Sequence, residues 1–561
     1  MKSSGNLIDC GNGVHLERSI QCRMRDGVTL ISDHYYPAGY GPAPTLLMRQ
    51  PYGRDIASTV VYAHPIWFAR AGYHVVIQDV RGRGDSEGLF YPFRHEGADG
   101  FDTLSWLVRH PACNGKIGMY GFSYQGATQL LAAAERPPGL VAIAPWMTAH
   151  DLYHGWFYHN GALRLASTLG WGIQMLREDV RRGGLTEASR TLEDLWLNVR
   201  QHTLCAPYGA SPGLNQPGAP SYLKDWIRHR HWDDYWRAFD LSSRLPPLPA
   251  LHLSGWYDLY LKGSIDTFLA MQSAGCPNQY LIAGPWIHIP WGTRVGDIDF
   301  GEAAALDTNL ILLRWFSHWL KRSGEFANEP PIRHFALGAN QWYSAQSWPR
   351  QGSRSFYLRS SGNANSVHGD GRLSTSGPDG QEPRDFFVYD PEVPVVAPGG
   401  ISAAAGSFDQ SGLEQGNNLL VYTSPPLDQA LRIFGHPKLV LFAISSRESA
   451  DFVGKLVRVR HDGRAEFISI GIARSTWMFP RGFVPDEPFC WEFELEPASC
   501  AFAAGECVRL EIASSAFPLY DRNPCSSMPA SEAAPGTWRR ATQSILHEPA
   551  KPSRLELPVA A

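Results

Sequence analysis

"KIGMYGFSYQGATQLLAAAERP", Lys116 to Pro137, decides the fold. A short apolar run enters a turn framed by Gly121 and Gly126, and an alanine-rich stretch leaves it until Pro137 ends the helix. Strand, sharp turn and helix in that order make the βα unit of a parallel sheet, and the surrounding sequence repeats it. "APTLLMRQ" (Ala43 to Gln50), "YHVVIQDV" (Tyr73 to Val80) and "LVAIAP" (Leu140 to Pro145) read as apolar strands, and "EGADGFDTLSWLVRHP" (Glu96 to Pro111) as an amphipathic helix. Upstream, two extended runs flank Asp26-Gly27, a hairpin signal. The alternation predicts an α/β fold built on a doubly wound parallel sheet.

The rhythm breaks between about Trp146 and Asp240, where helical, aromatic segments and a Pro/Gly loop interrupt it. It resumes with "ALHLSG" (Ala250 to Gly255), a helix over Gly263 to Ser273, "YLIAG" (Tyr280 to Gly284) and the helix from Ala304 to Arg322. Beyond that point short strands such as "IRHFALG", "KLVLFAIS" and "CVRLEIASS" alternate with turn residues, the pattern of a β-sandwich. The expected domains are a sheet core over 1–145 and 241–330, a helical cap over 146–240 and a jelly-roll sandwich over 331–561. A chain of 561 residues suits two or three such units.

Composition narrows the partners. A net charge of −4 gives no electrostatic reason to expect nucleic acid or a membrane surface. Nine cysteines without C-x-x-C spacing argue against a disulfide framework or a zinc site, and for a reducing compartment. The start of the chain lacks the apolar run of a signal peptide, so a cytoplasmic protein is expected, with a homodimer compatible with the reading. No metal or organic cofactor is called for.

Two serines compete for a chemical role. "GRGDSEG" (Gly82 to Gly88) holds a full G-x-S-x-G around Ser86, whereas Gln125 breaks that pattern after Ser123. A nucleophilic serine needs a strand before it and a helix N-terminus after it, so that its hydroxyl stands above the sheet edge. Ser123 has that setting. No helix follows Ser86, and Asp85 and Glu87 oppose a developing anion. Ser86 therefore reads as part of a structural loop with ion pairs among Asp79, Arg81, Arg83 and Asp85. Taken alone, Ser123 reads equally well as a helix N-cap. Two strand ends tip the balance: Asp258 follows "ALHLSGWY" and His288 follows "QYLIAGPWI", in the order serine, acid, histidine of an α/β-hydrolase. Tyr52, in "MRQPYGR" after an earlier strand, can aim its phenol at an oxyanion beside the N–H of Tyr124.

"RQPYGR", "DVRGRGDSEG", "GFSYQG", "SGWYD" and "GPWIH" together closely resemble the signatures of the X-Pro dipeptidyl-peptidase/cocaine esterase family of α/β-hydrolases. "HPKLVLFAISSRESADFVGKLVRV" and "AAGECVRLEIASSAFPLYDRNP" resemble that family's C-terminal jelly roll. The resemblance implies Ser123 as nucleophile, Asp258 and His288 as its partners, Tyr52 and the Tyr124 amide as oxyanion hole, and a glycine three residues after the serine. Ile289-Pro290 departs from the smaller or polar residues expected there and bears on the pocket rim. "DLYHGWFYHNGALRLASTLGWGI" is similar to the cap of the family's cocaine-esterase branch, which implies that Phe157 and Trp171, with Trp156 nearby and Tyr260, line an acyl pocket. Asp233 and Asp234 in "HWDDYW" are alternatives for holding a substrate ammonium, or a solvated helix start. The leading expectation is a serine hydrolase of carboxylic esters, with amides as a second substrate class and a small molecule as partner. The alternatives are an X-Pro dipeptidyl aminopeptidase, an α-amino-acid ester hydrolase or acylase, and a non-catalytic carbohydrate- or polymer-binding protein.

Overall fold

The computed structural model describes residues 7–560 except 38, 40, 56–58, 350–351 and 402–403, and only the backbone of 202–203. Residues 1–6, the start of the stretch read as leaderless, lie outside the described residues. The first sheet opens with β1 (Ile8–Asp9), β2 (His15–Arg23), β3 (Thr29–Tyr36) and β4 (Ala43–Gln50). Then follow α1 (Pro65–Arg70), β5 (His74–Asp79), α2 (Glu96–Leu107), β6 (Cys113–Phe122), α3 (Tyr124–Ala134) and β7 (Leu140–Trp146). Every residue of β4 and β5 is buried, as strands covered by helices on both faces must be. Helices α2 and α3 approach closely because Gly100 leaves no side chain between them: a Cβ there would stand 2.4 Å from that of Ala132.

The cap begins with a short helical segment, Tyr153–Phe157, followed by a ribbon of two two-residue strands, β8 (Tyr158–His159) and β9 (Ala162–Leu163). It continues through α4 (Leu165–Arg182), α5 (Thr186–Leu197), α6 (Val199–Leu204), α7 (Tyr222–Arg228) and α8 (Asp234–Arg237). The sheet resumes with β10 (Ala250–Tyr257), α9 (Leu261–Ser273) and β11 (Gln279–Ile287). After the ribbon β12 (Arg294–Val295) and β13 (Ile298–Asp299) come α10 (Thr308–Phe316), β14 (Ile332–Ala336) and β15 (Gln341–Ala345). The sheet order is β1-β2-β3-β5-β4-β6-β7-β10-β11-β14-β15, with β5, β4, β6, β7, β10, β11 and β14 parallel to their neighbours in that run.

One expected boundary moves. "IRHFALG" reads as part of the C-terminal sandwich, but β14 pairs in parallel with β11 and in antiparallel with β15, so both strands belong to the first sheet, with β15 at its edge. A short apolar strand carries no mark of which sheet it will join. The C-terminal domain is β-rich: most of its strands lie in one long, mostly antiparallel sheet that includes Lys438–Ser445, Asp451–Val459 and Cys507–Ala513, and Leu431–Gly435 pairs separately with Ala498–Phe502. Its core is continuous with that of the first sheet: Trp256, Tyr257 and Phe335 share one buried cluster with Phe452, Ile470 and Trp491. Cap and β domain are joined by buried polar bonds, Arg164 to Glu496 at 2.6 Å and His159 to Tyr520 at 2.7 Å. Such pairs add specificity of docking rather than much net stability. Among the described residues no helix is long and apolar enough to cross a membrane.

Candidate active site

Strand β6 delivers Ser123 to the carboxyl edge of the sheet, where its backbone takes φ 61° and ψ −128° before α3 starts at Tyr124. A non-glycine residue in that region carries about 1–3 kcal/mol of strain, held here by its surroundings. Two glycines make the turn feasible. A Cβ on Gly121 (φ +138°) would meet the Cβ of Gln125 at 2.4 Å, and one on Gly126 would lie 2.8 Å from the Trp146 carbonyl. Gln125 thus occupies the space above Gly121, and Gly126 is where α3 crosses the end of β7. The Gly126 N–H already bonds the Ser123 carbonyl at 2.9 Å, whereas that of Tyr124, the first residue of α3, has no partner inside the helix.

The acid and the imidazole sit on the next two strand ends. Asp258, just past β10 and fully buried, accepts from the Tyr260 N–H at 2.5 Å and pairs with His288 Nδ1 at 3.0 Å. The two strands run very close, since a Cβ on Gly255 would stand 2.2 Å from the Trp286 carbonyl. Tyr260 sets the edge of its ring on His288, centroids 5.2 Å apart, and the His288 carbonyl accepts from Trp291 Nε1 at 3.0 Å. The ring itself is held by Asp258, by the Tyr260 ring and by Phe122 at 5.2 Å between centroids, with Nε2 the nitrogen left for chemistry.

Ser123, His288, Tyr52 and Tyr260 line one cavity of about 910 Å³. Tyr52 stands opposite the serine, within its hydrogen-bonding reach, and accepts from Trp171 Nε1 at 3.2 Å. Although 37% of Tyr52 is open, the opening faces a largely apolar cavity, and desolvation pushes its phenol up to about 12. It therefore keeps its proton at neutral pH and remains a donor.

Trp171 forms part of the wall, stacked on Trp226 at 5.2 Å and 5°. Trp156 and Phe157, expected beside it, are instead 2% and 1% exposed and lie behind the wall, Trp156 against Tyr260 and Phe157 against Trp226. They support the pocket without lining it, because the segment Tyr153–Phe157 turns its aromatic side chains into the core. Asp233 and Asp234 also lie away from the cavity. Asp233 caps α8 at the Tyr235 N–H and pairs with His229, and Asp234 pairs with Arg237, so the helix-start reading is the right one. Sequence reasoning missed Trp196, Val199 and Leu204 on α5 and α6, and Ala397, Ala404 and Pro518 from the β domain, all of which line the cavity. Ile289 stands on its rim.

The other serine is structural. Ser86 is fully buried, donates to the Asp79 carbonyl at 2.7 Å and accepts from the Ile31 N–H at 2.9 Å. The ion pairs around it differ from those expected. Arg54 holds Asp79 and Asp85, Arg81 holds Asp26 and Asp99, and Arg83 reaches Asp179 on the cap. The loop's arginines reach outward because its tight turns place its own carboxylates against Arg54.

A serine on a strained strand-to-helix turn, with a carboxylate and an imidazole joined on the following strand ends, defines a hydrolase of the α/β class. The chain belongs to the X-Pro dipeptidyl-peptidase/cocaine esterase family. Residues 26–290 match the model of the X-Pro dipeptidyl-peptidase (S15 family), and residues 324–556 that of the X-Pro dipeptidyl-peptidase C-terminal non-catalytic domain. The chain is 33% identical to the cocaine esterase of Rhodococcus sp. (strain MB1 Bresler), over 96% of this chain and 98% of that one. It is 28% identical to a putative serine esterase of Mycobacterium bovis, over 87% and 89% of the two chains. Among solved structures it is similar to an α-amino acid ester hydrolase, with 25% identity, TM-score 0.79 and coverage of 99% and 98%.

Proposed function

We propose that the protein is a serine hydrolase of carboxylic esters that works through an acyl-enzyme, with an apolar or aromatic acyl pocket. Ser123 attacks the ester carbonyl while His288 Nε2 takes its proton. Asp258 holds the imidazole in the tautomer whose Nδ1–H points at the carboxylate, and stabilises the imidazolium that forms. The oxyanion is met by the Tyr124 N–H at the start of α3 and by the Tyr52 hydroxyl. His288 then returns the proton to the leaving alcohol, and water repeats the sequence to release the acid. The observation that carries the reading is the bonded Asp258–His288 pair opening on the same cavity as the strained Ser123.

The wall also bears on the substrate. Among the described residues lining the cavity there is no aspartate or glutamate. A free α-ammonium would lose its hydration there without gaining a counterion, which is costly. That weighs against an X-Pro dipeptidyl aminopeptidase or an amino-acid ester hydrolase, both of which must seat an amine. The β domain, read as a jelly roll, serves as a wall through Ala397, Ala404 and Pro518. Nine free thiols suit a reducing, cytoplasmic setting. The test is a paired assay of kcat/KM on a neutral aryl ester and an X-Pro anilide. The ester is expected to be preferred at least tenfold, and a clear preference for the anilide overturns the assignment.

Tyr52→Phe removes one of two oxyanion donors and keeps the ring. It is expected to lower kcat by about 10²–10³-fold with little change in KM. Steady-state kinetics on the aryl ester checks this, and an unchanged kcat removes Tyr52 from the oxyanion hole.

A further inference from the structure

Three imidazoles cluster at the other edge of the first sheet, where the chemistry above has no use for them. His34 lies near the end of β3, His74 is the first residue of β5, and His110 precedes β6. His74 thus marks the amino ends of the parallel strands, whereas Ser123, Asp258 and His288 follow carboxyl ends. His34 and His74 are fully buried and His110 is half-buried. His34 Nδ1 and His74 Nε2 are 3.0 Å apart, and His110 brings a nitrogen within 4.8 Å of both. Two imidazole nitrogens on one tetrahedral zinc ion, each at about 2.0–2.1 Å, stand about 3.4 Å apart. The first two rings are therefore within tenths of an ångström of ligating distance, and the third, the least buried, has the short move to make.

We propose that His34, His74 and His110 bind one divalent transition-metal ion of the zinc or nickel class, at a site remote from the active site. The outer nitrogens already have the partners such ligands need. Ser32 Oγ lies 3.0 Å from His34 Nε2 and turns its own proton toward the Ile20 carbonyl, so it accepts from the ring. Thr45 Oγ1 lies 3.2 Å from His74 Nδ1. In the metal-free protein His74 Nε2–H donates to His34 Nδ1. On metal binding that proton moves to His74 Nδ1, where Thr45 Oγ1 accepts it, and both inner nitrogens then present lone pairs to the ion, the orientation that second-sphere hydroxyls enforce at metal sites. His110 adjusts: binding through Nε2 moves its proton to Nδ1 and frees the Ala112 N–H, which now bonds Nδ1 at 3.2 Å. No net proton is released. Tyr36 stacks on His74 at 5.1 Å and Trp106 sets an edge on His34 at 5.6 Å, so aromatic rings pack against the cluster. Three neutral imidazoles with an open fourth position suit zinc, nickel or copper and do not suit calcium or magnesium, which take oxygen ligands. The ion would clamp β3, β5 and the α2–β6 connection together.

The test uses tag-free, chelator-treated full-length protein titrated with Co(II), followed by displacement with Zn(II). One equivalent of Co(II) per chain is expected, with visible bands free of thiolate charge transfer, displaced by one equivalent of Zn(II). His110→Ala, at the least buried ligand, is expected to abolish binding while circular dichroism stays native. Ser32→Ala is expected to weaken binding by about 10–100-fold. Ester turnover is expected to survive metal removal, because the two sites lie on opposite sheet edges. Should His110→Ala not fold, His74→Gln takes its place. Substoichiometric binding, thiolate bands, equal affinity in the histidine variant, or loss of turnover on chelation each overturn the proposal.

Discussion

Ser123→Ala is expected to lower kcat on an aryl ester by about 10⁶-fold, leaving only the residual acceleration of the oxyanion hole and the pocket. The size follows from covalent chemistry: with no hydroxyl at the turn, no acyl-enzyme forms, and water must attack from a position that nothing holds. At about 1.4 kcal/mol per tenfold, the loss is about 8 kcal/mol of barrier. The fold should be retained, since the methyl group removes nothing from the core and the backbone strain is unchanged. A fluorophosphonate followed by peptide mapping separates the serines. Label is expected on Ser123 and absent from Ser86, whose hydroxyl is enclosed between Asp79 and Ile31. Label on Ser86, or none anywhere, overturns the nucleophile assignment. A non-catalytic carbohydrate- or polymer-binding protein would instead bind its polymer equally well with or without the hydroxyl.

Asp258→Asn is expected to cost about 10⁴-fold in kcat although it is nearly isosteric. Asp258 accepts two bonds, from the Tyr260 N–H and from His288 Nδ1. An amide at this position has one accepting oxygen, and the backbone N–H at 2.5 Å holds it. Its NH₂ group then faces His288 and donates, which leaves Nδ1 unprotonated and puts the ring proton on Nε2. An imidazole in that tautomer cannot take the proton of Ser123. Pre-steady-state kinetics should show the acylation burst suppressed while substrate binding is retained. A burst of ordinary size would mean that Asp258 merely packs beneath the ring.

Much of the site was legible because it rests on local chemistry. A strand running into Ser123 and a helix running out of it outweighed the fuller pattern around Ser86, and Asp258 and His288 declared themselves by ending consecutive strands. The cavity wall was far less legible. Trp156 and Phe157 were placed by likeness, yet which way an aromatic turns on a short helical segment depends on what packs beneath it. Trp196, Val199 and Leu204 form an apolar face on α5 and α6 that the pattern shows, but only tertiary structure says that it meets the active site. Pro518 and Ala397 lie in a separate domain and carry no local signal at all. The partners of Arg81 and Arg83 were missed for the same reason, since each reaches a carboxylate on another element.

The single core that runs from Trp256 and Phe335 into Phe452 and Trp491 makes the two halves of the chain one thermodynamic object. Cutting the gene between them would yield a fragment with a bare greasy flank and a roofless reaction chamber, rather than a minimal enzyme. Selection for new substrates can therefore act through the far end of the polypeptide, by reshaping a surface that never touches a reacting atom.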